Sequence, residues 1–311
     1  MVQKNFPRIV FMGTPDFAVA SLKALVEHGY PVVAVVTAPD KPAGRGMQLK
    51  ASAVKEYALS QALPVLQPEK LRNPAFLEAL KGYRADLQVV VAFRMLPEMV
   101  WNMPPMGTLN VHASLLPQYR GAAPINWAII NGERETGVTT FRLKHEIDTG
   151  DILLQEKIAI LPEDNIGTLY EKLMHRGAAL LLQTVDGLAA GTIKEQPQAS
   201  SGDLKHAPKI FREDGLIRWE QPAEAIHNLV RGLSPVPAAY TQLSGKQLKV
   251  YATSFNIAAH GQAPGHYETD GKTLLRFAAA DGWVNILDLQ YEGKKRMPVA
   301  EFLRGFRIAA E

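Results

Sequence analysis

RIVFMGTPDFAVASLKALVEHGYPVVAVVT, residues 8–37, sets the architecture. RIVFMG (8–13) is an apolar run closed by glycine, the pattern of a strand buried on both faces. FAVASLKALVEHG (17–29) spaces its apolar residues at the helical period and ends on Gly29, and VVAVVT (32–37) is a second buried strand. This βαβ order predicts parallel pairing. The same alternation continues outward, with strands expected at PVL (64–66), DLQVVVAF (86–93) and TLNVHA (108–113) and helices near 51–61, 74–81 and 122–130. Pro124 suits the first turn of the last of these helices and Asn131-Gly132 its end. The expected fold class is α/β, a doubly wound and mostly parallel sheet. GTPDF (13–17) matches neither the G-x-G-x-x-G fingerprint nor the G-x-x-x-x-G-K-[ST] loop, so neither nicotinamide binding nor nucleotide hydrolysis is indicated.

Residues 136–160 read as two strands around an Asp-Thr-Gly-Asp turn, and 166–188 as a long amphipathic helix. The stretch EQPQASSGDLKHAPKIFRE (195–213) is polar, holds two prolines and lacks periodicity, which is the signature of a linker. Beyond it come a helix (222–232) and strand-like segments KQLKVYATSF, KTLLRFAAA and WVNILDLQY, which predict a small β-rich barrel. The expected domains are therefore 1–194 and 212–311, joined by 195–211.

At 311 residues the chain is long enough for two domains. Cysteine is absent, which removes disulfides, thiol nucleophiles and thiolate metal sites. No run of 18 apolar residues occurs, and the N-terminal apolar stretch is too short for a signal segment, so a cytoplasmic, non-membrane protein is expected. The net charge of +3 arises beyond residue 204, where 14 Lys/Arg face 11 Asp/Glu; residues 1–204 balance at 20 each. So small an excess is compatible with an anionic partner without requiring one. No H-E-x-x-H or comparable spacing suggests a metal, and nothing indicates an obligate protein partner.

Three groups of residues carry chemistry. Asn110 and His112 stand two apart on a strand, so both project from one face. At the carboxyl end of a strand in an open α/β sheet, that face opens on the ligand crevice. An amide there can donate to a developing oxyanion and an imidazole can move a proton near neutral pH, although both residues also serve as ordinary turn caps. Asp148, in EIDTGD, can supply a carboxylate that orients the imidazole, although taken by itself before Thr-Gly it reads more readily as an Asx-turn residue; Asp151 competes for the orienting role. Ser114, two residues past His112, leaves a covalent route open, though a hydroxyl at the start of a turn commonly satisfies backbone groups. The loop TAPDKPAGRGMQLK (37–50) sets Lys41, Arg45 and Lys50 against Asp40, a cationic loop suited to a phosphate-bearing partner or simply a solvated connection.

VFMGTPDFA, APDKPAGRG, NVHASLLPQYRGAAPINWAI, ETGVTTFRLKHEIDTGDIL, KIFREDGLIRW and GLSPVPAAYT together resemble the methionyl-tRNA formyltransferase family over nearly the whole chain. The resemblance implies a Rossmann-like formyltransferase domain, a C-terminal OB-like barrel, 10-formyltetrahydrofolate as formyl donor, and initiator methionyl-tRNA as acceptor. It also implies no metal. Asn110, His112 and Asp148 fall on the family's catalytic triplet, Ser114, Leu115, Leu116 and Pro117 on its folate-binding segment, and Lys41 and Arg45 on the basic loop that meets tRNA. Two segments expected to border the pterin depart from the family pattern: Phe93-Arg94 replaces Tyr-Gly, and Lys144-His145-Glu146 replaces an Asp-containing approach to Asp148.

Overall fold

The computed structural model describes residues 6–43, 48–199 and 202–305, which pack as two units. The first comprises the chain through Gly121, Thr136–Ile158 and Tyr170–His206. Its first elements are β1 (Ile9–Gly13), α1 (Asp16–Glu27), β2 (Val32–Val36), β3 (Lys41–Ala43), β4 (Gln48–Lys50), α2 (Ala53–Ser60) and β5 (Val65–Leu66). There follow α3 (Pro74–Gly82), β6 (Leu87–Val91), α4 (Glu98–Trp101), β7 (Thr108–His112) and β8 (Arg120–Gly121). After α5 (Pro124–Ile130) come β9 (Glu135–Arg142), β10 (Ile152–Ala159), α6 (Ile166–Ala189) and β11 (His206–Ala207).

A seven-stranded sheet has the order β10-β9-β7-β6-β1-β2-β5. The five strands from β7 to β5 are parallel, as expected, and β9 runs antiparallel to β7. Every residue of β1 and β6 is buried because helices cover both faces, which explains their apolar sequences; the one polar residue, Gln88, accepts from the Thr108 hydroxyl at 3.1 Å. On one face Val10, Met12 and Val90 pack with Phe76 and Leu80 of α3. On the other, Val111 lies against Gly177 of α6, where a β-carbon would sit 3.1 Å from its Cγ1. Local chemistry starts the helices where they start. Ser52 accepts from the amide of Lys55 at 3.1 Å, and Asn73 accepts from that of Ala75 at 2.9 Å with Pro74 in the first turn. Gly13 admits α1 to the sheet, because a β-carbon there would lie 2.6 Å from Cβ of Ala18. The chain leaves β1 toward β2 and β5, then returns to β6 and β7, so the sheet has a switch point between β1 and β6.

The loop expected over 37–50 contains a short hairpin, with Lys41 opposite Lys50 and Pro42 opposite Leu49. Asp40 is engaged at its base by Lys55 at 2.6 Å and Gln67 at 2.8 Å, and the Lys55 bond holds its carboxyl below the usual carboxylate range. Asp40 is thus committed away from Lys41, which is exposed. Arg45 lies outside the described residues.

The second unit gathers Ala122–Glu135, Ala159–Leu169 and the chain from Ala207 onward. Its later elements are α7 (Ala223–Leu233), β12 (Ala239–Leu243), β13 (Lys246–Ile257), β14 (Tyr267–Thr269), β15 (Leu275–Ala278), β16 (Gly282–Tyr291), β17 (Met297–Pro298) and α8 (Val299–Arg304). The strands form an antiparallel sheet of order β12-β13-β16-β15-β14, with β17 on β16. Register shifts between Val250 and Thr253 bend the long β13, and the sheet curls as an OB-like half-barrel. Trp219 stacks on Phe277 at 4.5 Å inside it and donates to Thr241 at 3.0 Å, so the indole is buried without losing its hydrogen bond. Helix α5 packs on α7: Ile130 fills the space over Gly232, and Asn126 donates to the Gly232 carbonyl at 2.8 Å.

His227 on α7 bonds Thr253 at 2.9 Å and lies 5.2 Å from the Phe255 ring. Burial, and then the nearby Arg231 charge, push its imidazole down to about 4 from an ordinary 6.5. Between those values the unfolded chain binds a proton that the folded chain refuses. The stabilisation is therefore complete above pH 6.5 and is lost as pH falls through about 4. His227→Gln is expected to flatten the acid slope of the unfolding temperature in that window, read by calorimetry at several pH values. An unchanged slope would reject the assignment.

Candidate active site

Asn110 and His112 project from the face of the sheet opposite α6, at the carboxyl end of β7. Asn110 sits in register with Val90 of β6 and opposite Phe141 of β9; His112 lies opposite Thr139. Among the described residues the half-buried Asn110 carboxamide has no hydrogen-bond partner. This is the condition of a donor available to a ligand.

The His112 ring is 8% exposed and meets Phe141 edge-on with centroids 6.4 Å apart. Its Nε2 lies 2.9 Å from the carbonyl oxygen of Tyr119. A carbonyl only accepts, so Nε2 carries the hydrogen. The Nδ1 edge faces Oδ2 of Asp148 at 3.9 Å, too long for a direct hydrogen bond.

Asp148 itself is held at both ends. Its Oδ2 accepts from the amide of Gly121 at 3.0 Å, and its carbonyl oxygen accepts from Nε2 of Gln198 at 2.8 Å. Its backbone has φ of +54°, the left-handed region, which Asp tolerates better than most residues with side chains. Asp151, the competing carboxylate, is paired with Lys144 at 2.7 Å. The geometry brings Asp148 to His112, the carboxylate that the family resemblance singles out and that residue chemistry alone does not separate from Asp151.

The SLLP segment divides in two. Ser114 and Leu116 are buried, the former donating to the Gln118 carbonyl at 2.7 Å, while Leu115 and Pro117 are partly exposed. Leu115 covers Gly137, where a β-carbon would stand 2.5 Å from its Cδ2. The buried Ser114 hydroxyl is committed to the backbone. Ser114→Ala is expected to keep kcat within a few-fold of the parent at a cost of about 1 kcal/mol in stability. Abolished turnover, together with a formyl adduct trapped on the parent protein, would instead establish a covalent route.

The departing segments are also placed. Arg94 donates to the carbonyls of Pro68 and Glu69, and its guanidinium lies 5.6 Å from the Phe93 ring centroid. His145 pairs with Glu98 at 2.9 Å and meets Trp101 edge-on at 6.1 Å. Among the described residues there is no group of three or more His, Cys, Asp or Glu able to hold a metal, and no helix long and apolar enough to cross a membrane.

Sequence reasoning did not find Gln198, Arg120 or the Tyr119 carbonyl. Gln198 lies in the stretch read as a linker, and no periodicity marks it. Arg120 stands in the quoted RGAAP block, next to the residue whose amide meets Asp148, so adjacency to the motif was its one signal.

Residues 7–185 match the formyl transferase family, and residues 209–307 match the formyl transferase C-terminal domain. The methionyl-tRNA formyltransferase of Bacteroides fragilis is 54% identical over 99% of this chain and 97% of its own length. That of Porphyromonas gingivalis is 49% identical over 100% of this chain and 99% of its own. Among solved structures, an N-formyltransferase from Helicobacter canadensis, in complex with folinic acid and dTDP-3-aminofucose, aligns with a TM-score of 0.66 at 19% identity, covering 92% of this chain and 99% of that one. HypX from Aquifex aeolicus, in complex with tetrahydrofolic acid, aligns with a TM-score of 0.64 at 20% identity over 96% of this chain and 47% of that one, so this chain spans about half of HypX. The two structural likenesses bear on fold alone; the full-length sequence identities, with both domain matches, show that the chain belongs to the formyl transferase family, among its methionyl-tRNA formyltransferases.

Proposed function

We propose that this chain transfers a formyl group from 10-formyltetrahydrofolate to the α-amino group of initiator methionyl-tRNA, in the cytoplasm, in support of translation initiation. The observation that carries the reading is the convergence at the carboxyl end of β7 of the Asn110 amide, without a partner among the described residues, the His112 ring and the Asp148 carboxylate.

An α-amine has a pKa near 8 in model peptides, so a useful fraction is neutral at pH 7 and attacks without a strong base. The demanding species is the tetrahedral adduct. Asn110 donates to its negative oxygen, aided by a protonated His112. The Tyr119 carbonyl occupies the Nε2 hydrogen, so the Nδ1 edge is the one left to pass a proton between the attacking amine and the departing nitrogen. Asp148 faces that edge at 3.9 Å. Since Ser114 and Leu116 are buried, folate contacts from this segment fall to Leu115, Pro117 and the backbone. Lys41 and Arg45 are assigned to the tRNA, with the C-terminal unit adding to its grip.

The test is formyl transfer by the purified chain with initiator methionyl-tRNA, free methionine and a nucleotide-linked amino sugar offered in parallel. Transfer confined to the charged tRNA supports the reading. Transfer to the sugar, or formate release without an acceptor, moves the chain to a different formyl-group activity.

A further inference from the structure

We propose that Gln198 is a positioning residue that holds the Asp148 carboxylate against His112, a role that rests on the functional reading above. Its side-chain amide is fully committed. Nε2 donates to the carbonyls of Asp148 at 2.8 Å and Gly150 at 2.7 Å, while Oε1 accepts from Arg120 Nε at 3.0 Å and Nη2 at 2.7 Å. The Arg120 fork fixes which end of the amide is which, because a guanidinium only donates. The NH2 end therefore faces the two carbonyls and no alternative orientation satisfies both sides.

Three features make this more than a surface contact. The backbone of the same segment is anchored next to the site, Gln196 exchanging hydrogen bonds with Ile152 at 2.8 and 2.9 Å, so the Gln198 side chain departs from a fixed point. The bonded turn contains Asp148 at φ +54°, and Gln198 holds the carbonyls on either side of Thr149 in that turn. The clamp also closes on itself: the Gly121 amide takes the carboxylate end of Asp148, Gln198 takes its carbonyl end, and Arg120, adjacent to Gly121, binds Gln198. Gln198 thus acts on the reaction only through where Asp148 stands.

The test separates positioning from simple bracing. Gln198→Glu keeps the Arg120 contact, now as an ion pair, but offers no donor to the two carbonyls; Gln198→Met keeps the length and removes both functions. Both are expected to lower kcat roughly 10-fold or more, the order that a displaced catalytic group produces, with KM for the folate and the tRNA little changed. Because Gln198 works through Asp148, the double variant Asp148→Asn/Gln198→Glu is expected to be no slower than Asp148→Asn alone. Parent kcat in Gln198→Glu overturns the proposal, even if Asp148→Asn is slow and the functional reading stands. Parent kcat in Asp148→Asn overturns the catalytic role given to Asp148, and the role of Gln198 with it; a parent chain that transfers no formyl group to charged tRNA overturns the functional reading itself. Urea midpoints accompany each variant, and Gln198→Glu carries the test alone if Gln198→Met does not fold.

Discussion

Asn110→Ala and His112→Ala are each expected to lower kcat by about 100-fold or more, the cost of removing one preorganised donor to an oxyanion. For Asn110 the loss falls on the transition state alone. Its amide has no partner among the described residues, so truncation orphans nothing in the fold and the unfolding temperature stays near that of the parent. His112→Ala differs. It leaves the Tyr119 carbonyl and the Asp148 carboxylate without the ring they face, so some stability is lost along with the rate. Steady-state kinetics with saturating folate and varied methionyl-tRNA check both: kcat and kcat/KM fall together if the interactions arise only in the transition state. Near-parent kcat in both variants would sink the catalytic assignment.

Gly150→Ala is expected to harm rate and stability together. A β-carbon there would lie 1.5 Å from the carbonyl oxygen of Arg142 and 2.8 Å from its carbonyl carbon. Both obstacles are backbone, so no side-chain rotation relieves the overlap. Either the 148–151 turn or the end of β9 must move, and the turn carries Asp148 together with the second carbonyl that Gln198 holds. The expected cost is on the order of 3 kcal/mol in stability. Displacing Asp148 by about an ångström lowers kcat by roughly 100-fold. Urea unfolding with parallel kinetics reads both quantities, and a variant with the parent midpoint and rate would refute the packing described for this turn.

The strands most plainly written in the sequence, RIVFMG, VVAVVT and the VVV of β6, are the ones buried on both faces, where the sheet demands an unbroken apolar run. Elements that escaped the reading are short. Helix α8 has 6 residues and α4 has 4, too few for a 3.6-residue period to declare itself, and the β3–β4 hairpin lies in a stretch of Pro, Gly and charge that reads as loop. Strand β12, Ala239–Leu243, follows the proline-rich SPVP and shows alternating burial over only five residues.

The candidate site divides in the same way. That Asn110 and His112 share a face was determined by the sequence itself, because the two-residue period of a strand is a local property. The βαβ order and the carboxyl-end position of the pair were equally local in origin. The sequence named Asp148 only through its resemblance to a family, whereas how near that carboxylate stands to the imidazole, which backbone carbonyl takes the ring's other nitrogen, and that Gln198 braces the turn from 50 residues away were decided only by tertiary structure. Hydrogen bonds between residues so far apart follow from how the chain closes on itself, and nothing in the neighbouring sequence repeats with a period that would announce them.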